Sequence, residues 1–186
     1  MTVLQQRPAS CCYWLTGLSG AGKTTTAVHA LNALAELGYM AIHLDGDELR
    51  QGLNNDLGFT RADRQENIRR IAEITKLLVD AGIVVLVSVI SPYRADREAA
   101  RARIGEQRCF EVFVNTSLDV CRQRDAKGLY ARAASGTLAE FTGVQAPYES
   151  PRCPAITICT ENRAIGSGAA DIIQHYLNFV SRTHGH

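Results

Sequence analysis

A chain of 186 residues, 46% of them hydrophobic, has the size of one domain and enough apolar material for its own core. Its 20 Lys and Arg against 19 Asp and Glu leave a net charge of +1, which excludes the broad basic field of a nucleic-acid binder and confines any anion site to a local cluster. No apolar run approaches the roughly 20 residues of a membrane span, and the polar start at 1–10 is no secretory signal. The expectation is one domain over 1–186 with a short tail at 1–10, cytoplasmic, with no membrane or nucleic-acid partner. The six cysteines show no CxxC pair or metal-ligand spacing and read as small core hydrophobes or exposed thiols in a reducing compartment.

In chain order, residues 11–16 read as a short buried strand, broken by a glycine-rich turn before a helical run over 23–37 that Gly38 ends. A second strand over 40–44 leads into Asp45-Gly46-Asp47 and a short helix towards Leu53, followed by an Asn- and Gly-rich loop to residue 59. Ile68, Ile71, Ile74, Leu78 and Ala81 recur at helical steps and predict a long amphipathic helix over 61–81, started by a Thr60/Asp63 capping box. The unbroken apolar run 83–89 suits a strand buried on both faces. The next elements read from the pattern are a strand at 110–114, a helix at 118–124, a last strand at 156–159 and a closing helix at 165–180; between about 127 and 154 no apolar period is sustained, as in a lid. Strands alternating with helices predict a three-layer α/β architecture around a parallel sheet.

Gly17-Leu18-Ser19-Gly20-Ala21-Gly22-Lys23-Thr24, with Thr25 behind it, fits the phosphate-binding loop of P-loop proteins and lies between a predicted strand and a predicted helix, as that motif requires. Its glycines let backbone N–H groups wrap an ATP polyphosphate, Lys23 reaches the β- and γ-phosphates, and the Thr24 hydroxyl is the expected ligand of Mg²⁺. An Asn-Lys-x-Asp guanine reader is absent, and no apolar strand after residue 80 ends in Asp, which argues against a GTPase and a motor ATPase. Asp45 does follow a strand, where carboxylates of parallel sheets meet ligand, and is the candidate base or metal partner; Asp47 reads equally as a helix cap. Arg61, Arg64 and Asn67 share one face at the positive start of the long helix, near Arg50, and form a candidate anion cluster whose alternative is solvated surface charge. Trp14 reads as core, and His29 and His43 as packing or surface groups.

Six spaced segments carry a resemblance: Leu44-Asp45-Gly46-Asp47, Gly52-Leu53-Asn54-Asn55-Asp56-Leu57-Gly58-Phe59, Asp63-Arg64-Gln65-Glu66-Asn67-Ile68-Arg69-Arg70, Ile90-Ser91-Pro92-Tyr93-Arg94, Arg124-Asp125-Ala126-Lys127-Gly128-Leu129-Tyr130 and Phe141-Thr142-Gly143. In this order they resemble the adenylyl-sulfate kinase family. The resemblance implies a P-loop kinase that transfers the γ-phosphate of ATP, with Mg²⁺, to the 3′-hydroxyl of adenylyl sulfate in sulfate assimilation. It implies catalytic roles for Lys23 and Asp45 and a substrate pocket of Asp45, Arg50, Phe59, Arg64, Asn67, Ile90, Ser91, Lys127, Leu129 and Phe141, with the two phenylalanines around the adenine. A homodimer is implied in the same way. The chain departs from the family at Glu48, at Ala126 and in the thinned basic run Ala131-Arg132-Ala133-Ala134. The rival readings are another small-molecule P-loop kinase, acting on a nucleotide or sugar acid, and a non-catalytic nucleotide-binding module.

Overall fold

The computed structural model describes residues 9–125, 127–137, 141–161 and 163–184, so residue 126, most of the 1–10 tail, residues 138–140 of the expected lid and the last two residues lie outside the described residues. Five parallel strands form one sheet in the order β2-β3-β1-β4-β5: β1 Cys12–Thr16, β2 Ala41–Asp45, β3 Val84–Ser88, β4 Cys109–Val114 and β5 Ile156–Ile158. The described residues hold the helices α1 Lys23–Glu36, α2 Gly46–Gln51, α3 Arg61–Asp80, α4 Arg94–Ile104, α5 Leu118–Arg124, α6 Leu129–Ala134 and α7 Ser167–His184. This is the three-layer P-loop fold.

Alternation along the central strand builds both layers. Cys11, Tyr13 and Leu15 point to a core shared with Ala27, Ala30 and Leu34 of α1 and Ile172 and Tyr176 of α7. Cys12 and Trp14 point the other way, to Ile68, Ile71 and Val79 of α3 and Ala100 and Ile104 of α4. Full burial of such side chains is worth roughly 1.5–3 kcal/mol each, so the strands that carry the site's loops are held from both sides. All six cysteines are free, four of them buried as core residues and Cys153 and Cys159 exposed. Among the described residues no helix is long and apolar enough to cross a membrane.

Most elements lie within two residues of their predicted bounds, and Thr60 and Asp63 form the expected capping box of α3. The helix α4 was not legible, because it is charge-rich and its buried face carries Asp96 and Arg97 beside Ala100 and Ile104, leaving few apolar residues to mark it. Asp96 takes both guanidinium nitrogens of Arg61 at 2.8 Å, which removes Arg61 from the expected anion cluster and makes it a brace between α3 and α4. The expected lid is more tightly tied than a loop. It contains α6, Asp125 accepts from the N–H groups of Tyr130 and Ala131 at 3.0 Å, and its last part is pinned where Glu149 N donates to Pro92 O at 2.8 Å.

Arg97 holds this region together: its guanidinium donates to Glu111 at 2.5 Å, to Ser91 O at 2.7 Å and to Glu149 O at 2.7 Å. Removing one partner of so buried a network costs about 3 kcal/mol. We expect Arg97→Ala to lower the melting temperature by roughly 6–12 °C, as measured by circular dichroism. A shift of under about 2 °C would show that the network contributes little.

Candidate active site

The carboxyl ends of the strands converge on one cleft of about 710 Å³, within the usual range for small-molecule sites. The loop after β1 opens it. Gly17 has φ +150° and an added Cβ would lie 2.5 Å from Val114 O, so the chain needs glycine there. Thr116 Oγ1 and Thr160 Oγ1 donate to Ala21 O at 3.0 and 2.9 Å, and Arg124 reaches Gly20 O and Thr160. These bonds satisfy the loop's carbonyls from behind. The N-cap of α1, Gly22, adopts a left-handed conformation without a side-chain cap, so the helix presents bare N–H groups to an anion.

Lys23, at the start of α1, donates to Gly17 O at 3.0 Å and Leu18 O at 2.8 Å. Burial lowers its pKa to about 8, a tendency that the carboxylates of Asp47 and Asp45 only partly oppose. Ser19, Gly20, Gly22, Lys23, Thr24 and Thr25 line the cleft, whereas Gly17, Leu18 and Ala21 serve as the loop's frame.

Asp45, at the end of β2, lies just beneath the cleft surface and is 8% exposed. Its Oδ2 accepts from Thr24 Oγ1 at 2.7 Å and Ser88 Oγ at 3.1 Å, and its Oδ1 accepts from Asp47 N at 2.8 Å. Burial pushes its pKa up, but these donors and nearby His43 outweigh that and hold it below the ordinary carboxylate value. Ser88 gives its one proton to Asp45, so the 2.7 Å contact with His43 Nε2 is a donation from the imidazole N–H to Ser88 Oγ. The helix cap is therefore Asp45 itself, not Asp47, whose carboxylate instead pairs with Lys127 across the cleft mouth.

The hard-oxygen donors fit Mg²⁺. Thr24 hydroxyl and Asp45 carboxylate converge, a pair of oxygen donors of the kind that holds a cation which keeps water and phosphate ligands. Arg50, Phe59, Arg64, Asn67, Ile90, Ser91, Lys127, Leu129 and Phe141 all line the same cleft as the phosphate loop. The guanidinium of Arg50 sits 4.4 Å from the Phe59 ring centroid and donates to Leu57 O and Gly58 O; Arg64 Nε donates to Phe59 O at 2.9 Å. Burial and then the charge of Arg64 lower the pKa of Arg50, so this wall holds two crowded cations. Asn67 Oδ1 accepts from buried Asn54. Phe59 is half exposed, while Phe141 is buried with its ring 4.9 Å from Tyr130 in an edge-on contact.

Ser91 is the only non-glycine among the described residues whose φ reaches the left-handed range, at 40°, with Asp125 short of it at 18°. Trp14 Nε1 donates to its hydroxyl and Arg97 to its carbonyl. Sequence reasoning missed Arg124, Thr160 and the 163–168 stretch, which also line the cleft. Arg124 opens one of the quoted segments, and Thr160 follows the carboxyl end of β5, where ligand-facing residues of a parallel sheet collect.

A model of the adenylylsulphate kinase family matches residues 9–159. An adenylyl-sulfate kinase of Staphylococcus haemolyticus is 48% identical over 91% of this chain and 85% of its own, and one from Vibrio cholerae is 49% identical over 93% and 80%. A Mycobacterium tuberculosis APS kinase, solved with AMPPNP and APS, superposes with a TM-score of 0.87 at 43% identity, covering 92% of this chain and 99% of that one.

A polyphosphate that contacts Lys23 favours its charged form, whereas the free protein releases that proton near pH 8. Affinity for a nucleoside triphosphate should be full below about pH 8 and fall as pH rises above it. Calorimetry in buffers of different ionisation enthalpy should find proton uptake per bound AMPPNP rising from near zero at about pH 7 towards one at about pH 9.5. Absence of uptake throughout would mean that Lys23 does not meet the phosphates.

Proposed function

The chain belongs to the adenylylsulphate kinase family, and on that premise we propose how its cleft moves the γ-phosphate of ATP to the 3′-hydroxyl of adenylyl sulfate. It is an ATP-dependent phosphotransferase that yields 3′-phosphoadenylyl sulfate and ADP. The observation that carries the mechanism is the meeting, in one cleft, of the Lys23/Thr24 phosphate loop, the Asp45 carboxylate behind it and a wall of Arg50, Phe59, Arg64 and Asn67.

Transfer through a loose transition state asks for alignment and charge neutralisation more than for covalent help. Loop N–H groups and Lys23 hold the β- and γ-phosphates, and Lys23 gains most as charge shifts to the bridging oxygen. Thr24 and Asp45 would hold Mg²⁺, which when bound neutralises phosphate oxygens. Asp45 stays ionised at neutral pH, so its task is to fix the reacting hydroxyl and the metal's position rather than to act as a strong base. Arg50 and Arg64 neutralise the substrate's anionic linkage, with Asn67, Ile90 and Ser91 fixing its register. Phe59 gives the adenine an exposed ring face, opposed by Phe141, while Lys127 and Leu129 bring the α6 segment over the nucleotides.

Coupled ADP release should be fast with adenylyl sulfate and near background with AMP or shikimate; equal rates with all three would sink this assignment. Phe59→Ala should weaken adenylyl sulfate binding roughly five- to 150-fold and leave ATP nearly unchanged. Because Phe59 is half exposed, the melting temperature should hardly move, which separates stacking from packing. Phe141→Ala should lose stability as well, since that ring packs on Tyr130.

Asp45→Asn should lower turnover by at least about 10²-fold and raise the Mg²⁺ concentration needed for half-maximal rate. Slow turnover with an unchanged Mg²⁺ requirement would assign the carboxylate to the hydroxyl alone.

A further inference from the structure

A second cavity of about 140 Å³ lies between α4 and the segment leading into β5. It shares a wall with the cleft, because Trp14 and Arg97, which line it, both hydrogen-bond Ser91. Arg94, Arg97 and Arg101 fall on one face of α4 and all line this cavity, and Arg152 joins them from the facing segment. Against these four cations stand only Glu98 and Glu111, and Glu111 is taken by Arg97.

The remaining guanidinium groups have few protein partners: Arg101 and Arg152 are exposed, and Arg94 is partly buried. Arg94 Nε is buried with no hydrogen-bond partner, although its NH2 donates to Ser150 O at 3.1 Å. Among the described residues the Arg101 side chain reaches only Glu106 O, at 3.4 Å. Arg152 and Glu98 have no hydrogen-bond or ion-pair partner among the described residues. Crowding like charges around a buried, unpaired N–H is costly unless something anionic shares the site.

We propose that this pocket binds a small tetrahedral oxyanion of the sulfate or phosphate class, and that its occupancy is felt at Ser91. Forked guanidinium groups match tetrahedral oxyanions through paired N–H···O bonds. The volume is below the roughly 300 Å³ of ordinary ligand pockets, which excludes a nucleotide and leaves room for a single anion. An anion drawn between Arg94, Arg101 and Arg152 braces α4, and α4 carries the Arg97 that holds the Ser91 carbonyl. The communication half rests on Ser91 belonging to the substrate wall; the binding half does not.

Trp14 is the only tryptophan of the chain and lines this pocket, so its fluorescence reports on it. The full chain, with Mg²⁺ and AMPPNP saturating the phosphate loop, would be titrated with sodium sulfate and separately with inorganic phosphate, sodium chloride keeping ionic strength constant. The expected result is a saturable change, weakened at least about tenfold in the double variant Arg101→Gln/Arg152→Gln, whose side chains are exposed and whose melting temperature should be unchanged. The tighter of the two anions identifies the ligand. A response no different from chloride, or equal affinity in the double variant, overturns the site.

For communication, the KM for adenylyl sulfate should fall with saturating anion in the wild type and not in the double variant, with kcat alike. Saturable binding without that difference overturns the link to Ser91. Absence of any turnover would count against the reading of the cleft and leave the fluorescence result standing.

Discussion

The carboxylate of Asp45 is the point on which the reacting end of the cleft depends. It ties the end of β2 to α1 through Thr24, to β3 through Ser88 and to the first turn of α2 through the Asp47 N–H. One group thus fixes the phosphate helix, the neighbouring strand and the helix that carries Arg50. Three donors stabilise its charge, and burial opposes them less than they favour it. Such a carboxylate is a poor proton acceptor and a good anchor, which suits a reaction whose barrier falls through alignment and charge neutralisation. His43, its pKa lowered mainly by burial, stands behind Ser88 as a neutral donor and brings the same chain back to β2.

The opposite wall is built differently, on stored strain. A serine at φ 40° costs about 1–3 kcal/mol and persists only where its surroundings impose it. Here the imposing groups are Trp14 from β1, Arg97 from α4 and Thr16, whose hydroxyl donates to Ile90 O at 2.7 Å. Ser91 is 2% exposed yet lines the cleft, so its backbone orientation is set before any substrate arrives. Preorganisation of this kind spends folding energy to spare binding energy later.

What the sequence made legible follows the physics of each signal. The phosphate loop, the carboxylate after β2 and the capping box are local patterns whose geometry is fixed by neighbours in the chain, and Gly17, Lys23, Asp45 and Thr60 could be read directly. The face of α3 bearing Arg64 and Asn67 was legible as spacing, but spacing treats Arg61 the same way, and only the packing of α4 shows that Asp96 claims it. That helix itself escaped because buried ion pairs do not register as hydrophobic period. Arg124 and Thr160 escaped for a related reason: they act on the carbonyls of a loop more than 100 residues away, a relation that no local pattern encodes. The roles of Phe59 and Phe141 came from resemblance, and the structure distinguishes them by exposure, one presenting a ring to the cleft and the other half committed to the core.

The segment around α6 combines firm and weak attachments, and the contrast bears on how it would meet a nucleotide under the proposed function. Tyr130 donates to Ser19 O at 2.9 Å and packs against Phe141, while Asp125 caps the start of α6, so this helix is seated on the phosphate loop itself. Lys127 is held only by its ion pair with Asp47, both side chains more than half exposed. Pairs of that kind contribute little because solvent screens them and long side chains lose freedom in making them. Lys127 can therefore leave Asp47 for a phosphate oxygen at small cost, without unseating α6. Lys23 has the same choice between loop carbonyls and phosphate, from a more buried position. On the proposed function, a nucleotide that recruits both lysines would gain two charge-assisted contacts and leave the bonds of Tyr130 and Asp125 in place, so its binding would ask for the turning of side chains rather than the refolding of α6.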